Sequence, residues 1–338
     1  MHAPSTPWTE VTIVVVPRER FSYTRDCLES VYAHTDVPFR LVCVDGGSPS
    51  GTRQFLRTQA EARGFELVRT DHYLSPNRAR NLGLSHVTTP YVVFMDNDVV
   101  VAPGWLGPLV RCAKQTGAAV VGPLNCEGPP LHEIIHFAGG DCRIEETSRH
   151  GHIERTMIDT IDRQGQRLAD VRYELKRQRT SVAEFHCLLV RTAIFEKTGP
   201  FDEAMLTVRE NLDFCLAVAA AGGAIYIEPA SIITYLGYQP LAWRDLPYYL
   251  LRWNDRWTLS SLHRFRDKWQ LSEDDYFQRQ YRGLQRWRRD TYVIRPLLGW
   301  IPFATGRRAL ERALRPIERV VSRLTVMGYA YRHPTSRS

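Results

Sequence analysis

The chain has 338 residues, 43% of them hydrophobic and 24% charged, which is the composition of a globular protein with room for one large domain and an appendage. Its seven cysteines (Cys27, Cys43, Cys112, Cys126, Cys142, Cys187, Cys215) form no CxxC pair and several sit inside apolar runs, the usage of a reduced, cytoplasmic protein. Residues 1–10 are polar without a signal-peptide core, and no window approaches an uncharged apolar span of roughly 18 residues, so the reading is a soluble or peripheral protein. The net charge of +7 is uneven: beyond residue 240 there are 20 Lys and Arg against 9 Asp and Glu, so that part carries +11 and the remainder −4. Six of the eight tryptophans (Trp243, Trp253, Trp257, Trp269, Trp287, Trp300) lie in the same basic part, which suits an anionic surface, either lipid headgroups or a charged polymer.

Strand and helix signals alternate along the first 125 residues. A β-branched run at 11–16 stops at Pro17, and Cys27, Leu28 and Val31 give 23–33 a helical period. A second strand at 39–44 ends in Asp45-Gly46-Gly47-Ser48; a helix at 52–63 and a short strand at 65–69 follow. Ser75-Pro76 is an N-cap with proline at the first helical position. That helix leads through Arg80, Asn81 and Leu84 into the run Tyr91-Val92-Val93-Phe94-Met95-Asp96-Asn97-Asp98, apolar to strand length and then abruptly acidic. A helix at 103–114 and a strand at 118–121 complete a mostly parallel, three-layer α/β order. Residues 125–185 are irregular, with a polar stretch at 145–179 that reads as containing a mobile loop. Strand, helix, helix and strand then follow at 185–190, 192–198, 212–221 and 224–227. From residue 241 on, aromatic and Arg residues at helical spacing predict amphipathic helices, so the expected division is a catalytic domain at 1–240 and a basic helical extension at 241–338.

Ligands of open α/β sheets sit beyond the carboxyl ends of the strands. Two acids placed there, Asp96 and Asp98, can share a hard divalent cation, Mg²⁺ or Mn²⁺, that also holds phosphate oxygens. Asp45, at a tight turn on the same edge, can accept hydrogen bonds from a nucleobase or ribose, and Arg80 can reach a diphosphate. Taken singly, these residues read as an acidic turn, a turn aspartate capping local N–H groups and a solvated helix face. Their order along one alternating chain is what gives them weight.

In that order, Thr12-Ile13-Val14-Val15-Val16-Pro17, Cys27-Leu28-Glu29-Ser30-Val31, Val44-Asp45-Gly46-Gly47-Ser48, Ala79-Arg80-Asn81-Leu82-Gly83-Leu84 and Asp96-Asn97-Asp98 resemble the nucleotide-sugar half of family 2 glycosyltransferases. Gly199-Pro200-Phe201-Asp202-Glu203 and Arg209-Glu210-Asn211-Leu212-Asp213 resemble that family's acceptor-side FDE and ED-x-D blocks, so the likeness covers roughly residues 10–235. The resemblance implies a GT-A fold and a metal-assisted, inverting transfer from a nucleoside-diphosphate sugar to a glycan or glycolipid hydroxyl, in polysaccharide biosynthesis at the inner face of a bacterial-type membrane. It puts Asp45 on the base, Arg80 near the nucleotide, and Asp96 and Asp98 in the DxD motif.

Three positions depart from the family pattern. Gly46 stands where a second acid is usual, Asn211 replaces the second acid of the Glu-Asp pair, and Tyr235 occupies the region where a histidine often completes the metal site. Inverting transfer needs a base for the acceptor hydroxyl. Because Asn cannot take a proton, Glu210 is the first candidate, favoured by its place at a helix start, and Asp213 the second. His186 and His263 can stand in for the missing histidine, though each also reads as a structural residue. The HExxH match at His132-Glu133-Ile134-Ile135-His136 is flanked by Pro129-Pro130 and Gly139-Gly140 and reads as a strand rather than a zinc-protease helix.

The basic tail has three readings: a helical extension packed on the catalytic domain, a membrane-surface contact toward a lipid-linked acceptor, or nucleic-acid binding, for which no recognised module is visible. A catalytically weak sugar-nucleotide or glycan-binding scaffold is the alternative function. A nucleotidyltransferase would need a glycine-rich triphosphate loop, which is absent near the N-terminus.

Overall fold

The computed structural model describes residues 9–149, 152–237, 241–272 and 275–289, with isolated helical positions between 316 and 329. The tail expectations that involve Trp300 lie outside the described residues. The first half runs β1 (Val11–Val16), α1 (Thr24–His34), β2 (Arg40–Gly46), α2 (Ser50–Arg63), β3 (Glu66–Thr70), α3 (Pro76–Leu84), β4 (Tyr91–Asp96), β5 (Val99–Val101), α4 (Leu106–Thr116) and β6 (Val120–Glu127). Strands β3, β2, β1 and β4 pair in parallel. The register sets Val16 opposite Asp96, so the chain ends of β1, β2 and β4 share one edge.

Both faces of this sheet are covered, which is why its strands read as continuous apolar runs. Val14, Val42, Val92 and Phe94 fill one core, while Ile13, Val15, Cys43, Val93 and Met95 fill the other, as a period of two requires. Helix α3 lies close on the first face at Gly83, where a Cβ would stand 2.2 Å from Val14 Cγ1.

The second half adds β7 (Ile135–Phe137), β8 (Cys142–Arg149), β9 (His152–Asp159), α5 (Leu168–Val171), β10 (Gln178–Thr180), β11 (Cys187–Arg191), α6 (Phe195–Thr198), α7 (Glu210–Ala220) and β12 (Ile225–Tyr235). The sheet order is β10-β12-β6-β11-β4-β1-β2-β3, with β5 beside β12 and β7 beside β6. Strand β11 runs antiparallel between β4 and β6, which makes the sheet mixed though mostly parallel. Within the polar stretch at 145–179, the residues up to 159 belong to the β8–β9 hairpin, paired from Cys142↔Asp159 to Arg149↔His152, and the rest holds turns, α5 and the start of β10. The hairpin's β-branched positions, such as Thr147 and Ile153, are interleaved with charges on a largely exposed ribbon, and that masks the strand signal.

Of the His132–His136 segment, Ile135 and His136 lie in strand β7 and His132 in the turn before it, and the two imidazoles have separate partners: His132 Nδ1 meets Thr234 Oγ1 at 2.7 Å and His136 Nδ1 meets Glu127 Oε2 at 2.7 Å. Beyond residue 240 come α8 (Leu246–Arg252), α9 (Asp255–Trp269) and α10 (Asp275–Arg289). Tyr248 and Phe265 are fully buried, and Phe265 and Leu271 join the core that holds Phe94. The chain therefore continues to pack into the α/β body well past residue 240.

Candidate active site

The acidic edge is built where three parallel strands end together. Asp45 closes β2 with 1% exposure; its Oδ1 accepts from Ser48 N at 2.9 Å and its Oδ2 pairs with Arg69. Gly47 holds φ at +71°, and a side chain there would crowd the His72 carbonyl at 2.9 Å. A Cβ at Gly46 would lie 3.2 Å from Pro17 Cγ and 3.3 Å from Leu74 N, so the missing second acid has little room on this chain.

Asp96 and Asp98 end β4 in opposite electrostatic states. Asp96 Oδ2 takes Arg18 Nη1 at 2.8 Å and faces His186 Nδ1 at 3.3 Å, and its Oδ1 takes Arg80 Nη2 at 3.3 Å. Burial works to raise its pKa, but Arg18, the adjacent His186 ring and Arg80 prevail and hold it below the usual carboxylate range. Asp98 is fully buried and neither of its oxygens has a hydrogen-bond partner among the described residues. Burial, reinforced by Asp96, pushes it up to about 8. Between them Asn97 accepts from Arg18 N at 2.8 Å and donates to Thr24 Oγ1 at 2.8 Å, locking the β1 exit loop onto the acidic turn.

The structure changes the expectation for Arg80. Its guanidinium is wholly buried, lies 3.8 Å over the Phe185 ring and is lowered by burial, so it acts on the edge through Asp96 rather than as a free arm toward a diphosphate. Arg18, which the sequence reading passed over, holds the same acid from the other side and also lines a neighbouring cavity. Of the two histidines weighed for the missing ligand, His263 is exposed on α9. His186 stacks on Tyr235 with centroids 3.9 Å apart and bears on Asp96; burial and then Arg18 lower it to about 3, so it sits as a neutral ring.

A cavity of about 220 Å³ adjoins this edge, lined among others by Arg18, Glu184, Phe185, Glu210, Asn211 and Trp253. Glu210 is the first residue of α7, 6% exposed, with Oε1 3.4 Å from Arg252 Nη2. Arg252, from α8, is fully buried and also faces Glu19 Oε2 at 3.7 Å, so the segment beyond residue 240 supplies part of the site. Asp213, the second candidate base, is not among the residues lining the cavity. Its oxygens accept from Lys268 Nζ at 2.7 Å and Trp269 Nε1 at 2.8 Å, which makes it an anchor for α9. Glu184 has no ion pair or hydrogen bond among the described residues, and burial raises its carboxyl. Nothing in its local sequence marks it.

Comparison with known proteins agrees with this geometry. The profile described as glycosyl transferase family 2 matches residues 12–136, the segment that carries Asp45, Arg80, Asp96 and Asp98. A pre-mycofactocin glycosyltransferase of Mycobacterium tuberculosis is 26% identical over 228 residues, 67% of this chain and 42% of that protein. Human polypeptide N-acetylgalactosaminyltransferase 15 is 26% identical over 205 residues, 58% of this chain and 30% of that protein. The chain thus spans well under half the length of these relatives. Among solved structures, GalNAc-T7 with UDP, GalNAc and Mn²⁺ superposes with a TM-score of 0.50 at 15% identity, covering 88% of this chain and 58% of that one. Residues 12–136 therefore resemble a glycosyl transferase family 2 domain, and the fold of the chain is that of the GT-A glycosyltransferases.

Proposed function

We propose that this protein transfers a sugar from a nucleoside-diphosphate sugar to a hydroxyl of a glycan or glycolipid acceptor, with inversion. The observation that carries the reading is the Asp96–Asp98 pair: one acid saturated by Arg18, Arg80 and His186, the other buried with both oxygens unpartnered. A buried carboxyl without a partner is costly by about 1–3 kcal/mol. Its chemistry, a hard oxygen donor beside the sheet's ligand edge, fits a divalent cation. Among the described residues no three His, Cys, Asp or Glu side chains converge on one point. Asp98, with Asp96 behind it, would therefore hold the ion together with donor phosphates and water. A bound Mg²⁺ or Mn²⁺ supplies charge neutralisation for a departing diphosphate; the Mn²⁺ and UDP in the GalNAc-T7 structure make those the first ligands to try.

The chain's own residues do the rest. Asp45, fixed by Ser48 and Arg69, offers its carboxylate to the base or ribose. Arg80 and His186 fix Asp96, and Arg18 connects that acid to the cavity. The acceptor hydroxyl enters the cavity and gives its proton to one of the two carboxylates there, Glu210 or Glu184; sequence position alone nominates Glu210. For a lipid-linked acceptor the supporting observation is α10: Gln280 and Leu284 line the cavity, while Arg282, Arg286 and Trp287 of the same helix are exposed. No helix among the described residues is long and apolar enough to cross a membrane, so such contact would be peripheral.

A thermal-shift screen of UDP-, GDP-, dTDP- and CMP-sugars with and without Mn²⁺ tests the donor reading. Stabilisation by one nucleotide that requires the metal is the expected result. A folded protein that responds to none of them would refute it.

A further inference from the structure

Given the transferase reading above, on which this inference rests, we infer that Glu184 is the base that accepts the acceptor's proton, while Glu210 serves as the counter-ion of Arg252. Glu210 is already committed: its Oε1 faces a fully buried guanidinium at 3.4 Å, and among the described residues Arg252 has one other acidic partner, Glu19. Glu184 lines the same cavity and has no ion pair or hydrogen bond among the described residues. A carboxylate with no fixed partner is the one free to receive a proton.

Its position is held from both sides. The next two residues are tied to the donor acids: Phe185 lies under the Arg80 guanidinium at 3.8 Å, and His186 reaches Asp96 at 3.3 Å while its carbonyl accepts from Asp96 N at 3.0 Å. The preceding residue is tied to α7: Ala183 O accepts from Asn211 Nδ2 at 3.4 Å, and Ala183 N lies 3.2 Å from Cys215 Sγ. Residue 184 thus stands at the junction of the donor edge and the cavity. Asn211 gains a purpose in this arrangement. An amide can donate to the Ala183 carbonyl, whereas an aspartate there would set a carboxylate against it.

In the reaction the acceptor oxygen bonds to the anomeric carbon. The bond from that carbon to the diphosphate oxygen breaks, its electron pair leaving with the nucleoside diphosphate, and the hydroxyl proton moves to Glu184. The test uses the whole chain with Mn²⁺ and whichever of a panel of UDP-, GDP- and dTDP-hexoses releases nucleoside diphosphate. Two nucleophiles are compared: water, which must lose a proton, and azide, which need not.

Glu184→Gln should lower hydrolysis by about 10²-fold or more while glycosyl azide formation stays within about threefold. Glu210→Gln should slow both alike, because it disturbs the cavity through Arg252. Glu184→Asp, which keeps the acid, should recover part of the hydrolysis. Equal loss of water and azide reactions in Glu184→Gln, hydrolysis within about threefold of wild type, or the selective pattern appearing in Glu210→Gln would each overturn the assignment. Wild-type protein that releases nucleoside diphosphate from none of the panel would overturn the transferase reading itself, a result distinct from the other three.

Discussion

Replacing Arg252 by Met tests whether the segment after residue 240 is part of the catalytic body. The Arg252 side chain is 1% exposed, and it meets Glu19 at 3.7 Å and Glu210 at 3.4 Å, whose side chains are 1% and 7% exposed. It also donates to the carbonyls of Arg18 at 3.1 Å and Thr207 at 3.5 Å. Methionine preserves much of the volume but strands two buried acids and two carbonyls. Breaking a buried pair from one side costs about 3–5 kcal/mol. In a body of this size that lowers Tm by about 6–20 °C, at about 2–4 °C per kcal/mol. Near-ultraviolet circular dichroism during heating measures it, and urea midpoints give an independent value. Adding Glu210→Gln to the Met variant should return part of the loss, since one stranded anion is removed, so the pair should be non-additive. A single variant within about 1 kcal/mol of wild type, or strict additivity, would mean that water reaches this cluster and that α8 is only laid on the surface.

Four further outcomes are expected. Asp98→Asn should abolish metal-dependent stabilisation by nucleotide while leaving the metal-free melting temperature unchanged or higher, because neither Asp98 oxygen has a hydrogen-bond partner among the described residues to lose; undiminished Mn²⁺ dependence would exclude it as a ligand. Asp45→Ala should weaken nucleotide binding by about 1–3 kcal/mol, read by titration calorimetry, with unchanged metal binding. Asp213→Asn should cost about 1–3 kcal/mol in stability by loss of the ion pair with Lys268, yet keep turnover near wild type per folded molecule; a turnover loss like that of a base variant would contradict its reading as an anchor. Reversing both Arg282 and Arg286 to Glu should reduce co-sedimentation with phosphatidylserine vesicles at about 0.1 M salt, and equal binding would remove the membrane reading of α10.

The donor half was legible because its determinants are local. Apolar runs of strand length alternate with helical periods, and two strands that close on the ligand edge carry their candidate acids at their own ends: Asp45 near the end of β2, Asp96 as the last residue of β4 and Asp98 just beyond it. Parallel order then places those ends together. Sequence was equally sufficient for the strand at His136, where flanking prolines and glycines leave no space for a helix. It also nominated Glu210 ahead of Asp213 from position at the helix start, but three residues along one helix say nothing about partners.

Tertiary structure decided the rest. Only the packed chain shows Asp213 spent on Lys268 and Trp269, Arg80 buried against Asp96, and the β8–β9 ribbon formed from a stretch whose charges conceal its period. Arg18 and Asp96 are 78 residues apart, and Arg252 and Glu210 are 42 apart. Whether a carboxylate is an anchor, a counter-ion or a free base depends on which cation stands within about 4 Å of it. Spacing along the chain carries no record of that distance. For Glu184 the observation is that no described residue pairs with it in the cavity it lines, and only the assembled structure reveals that.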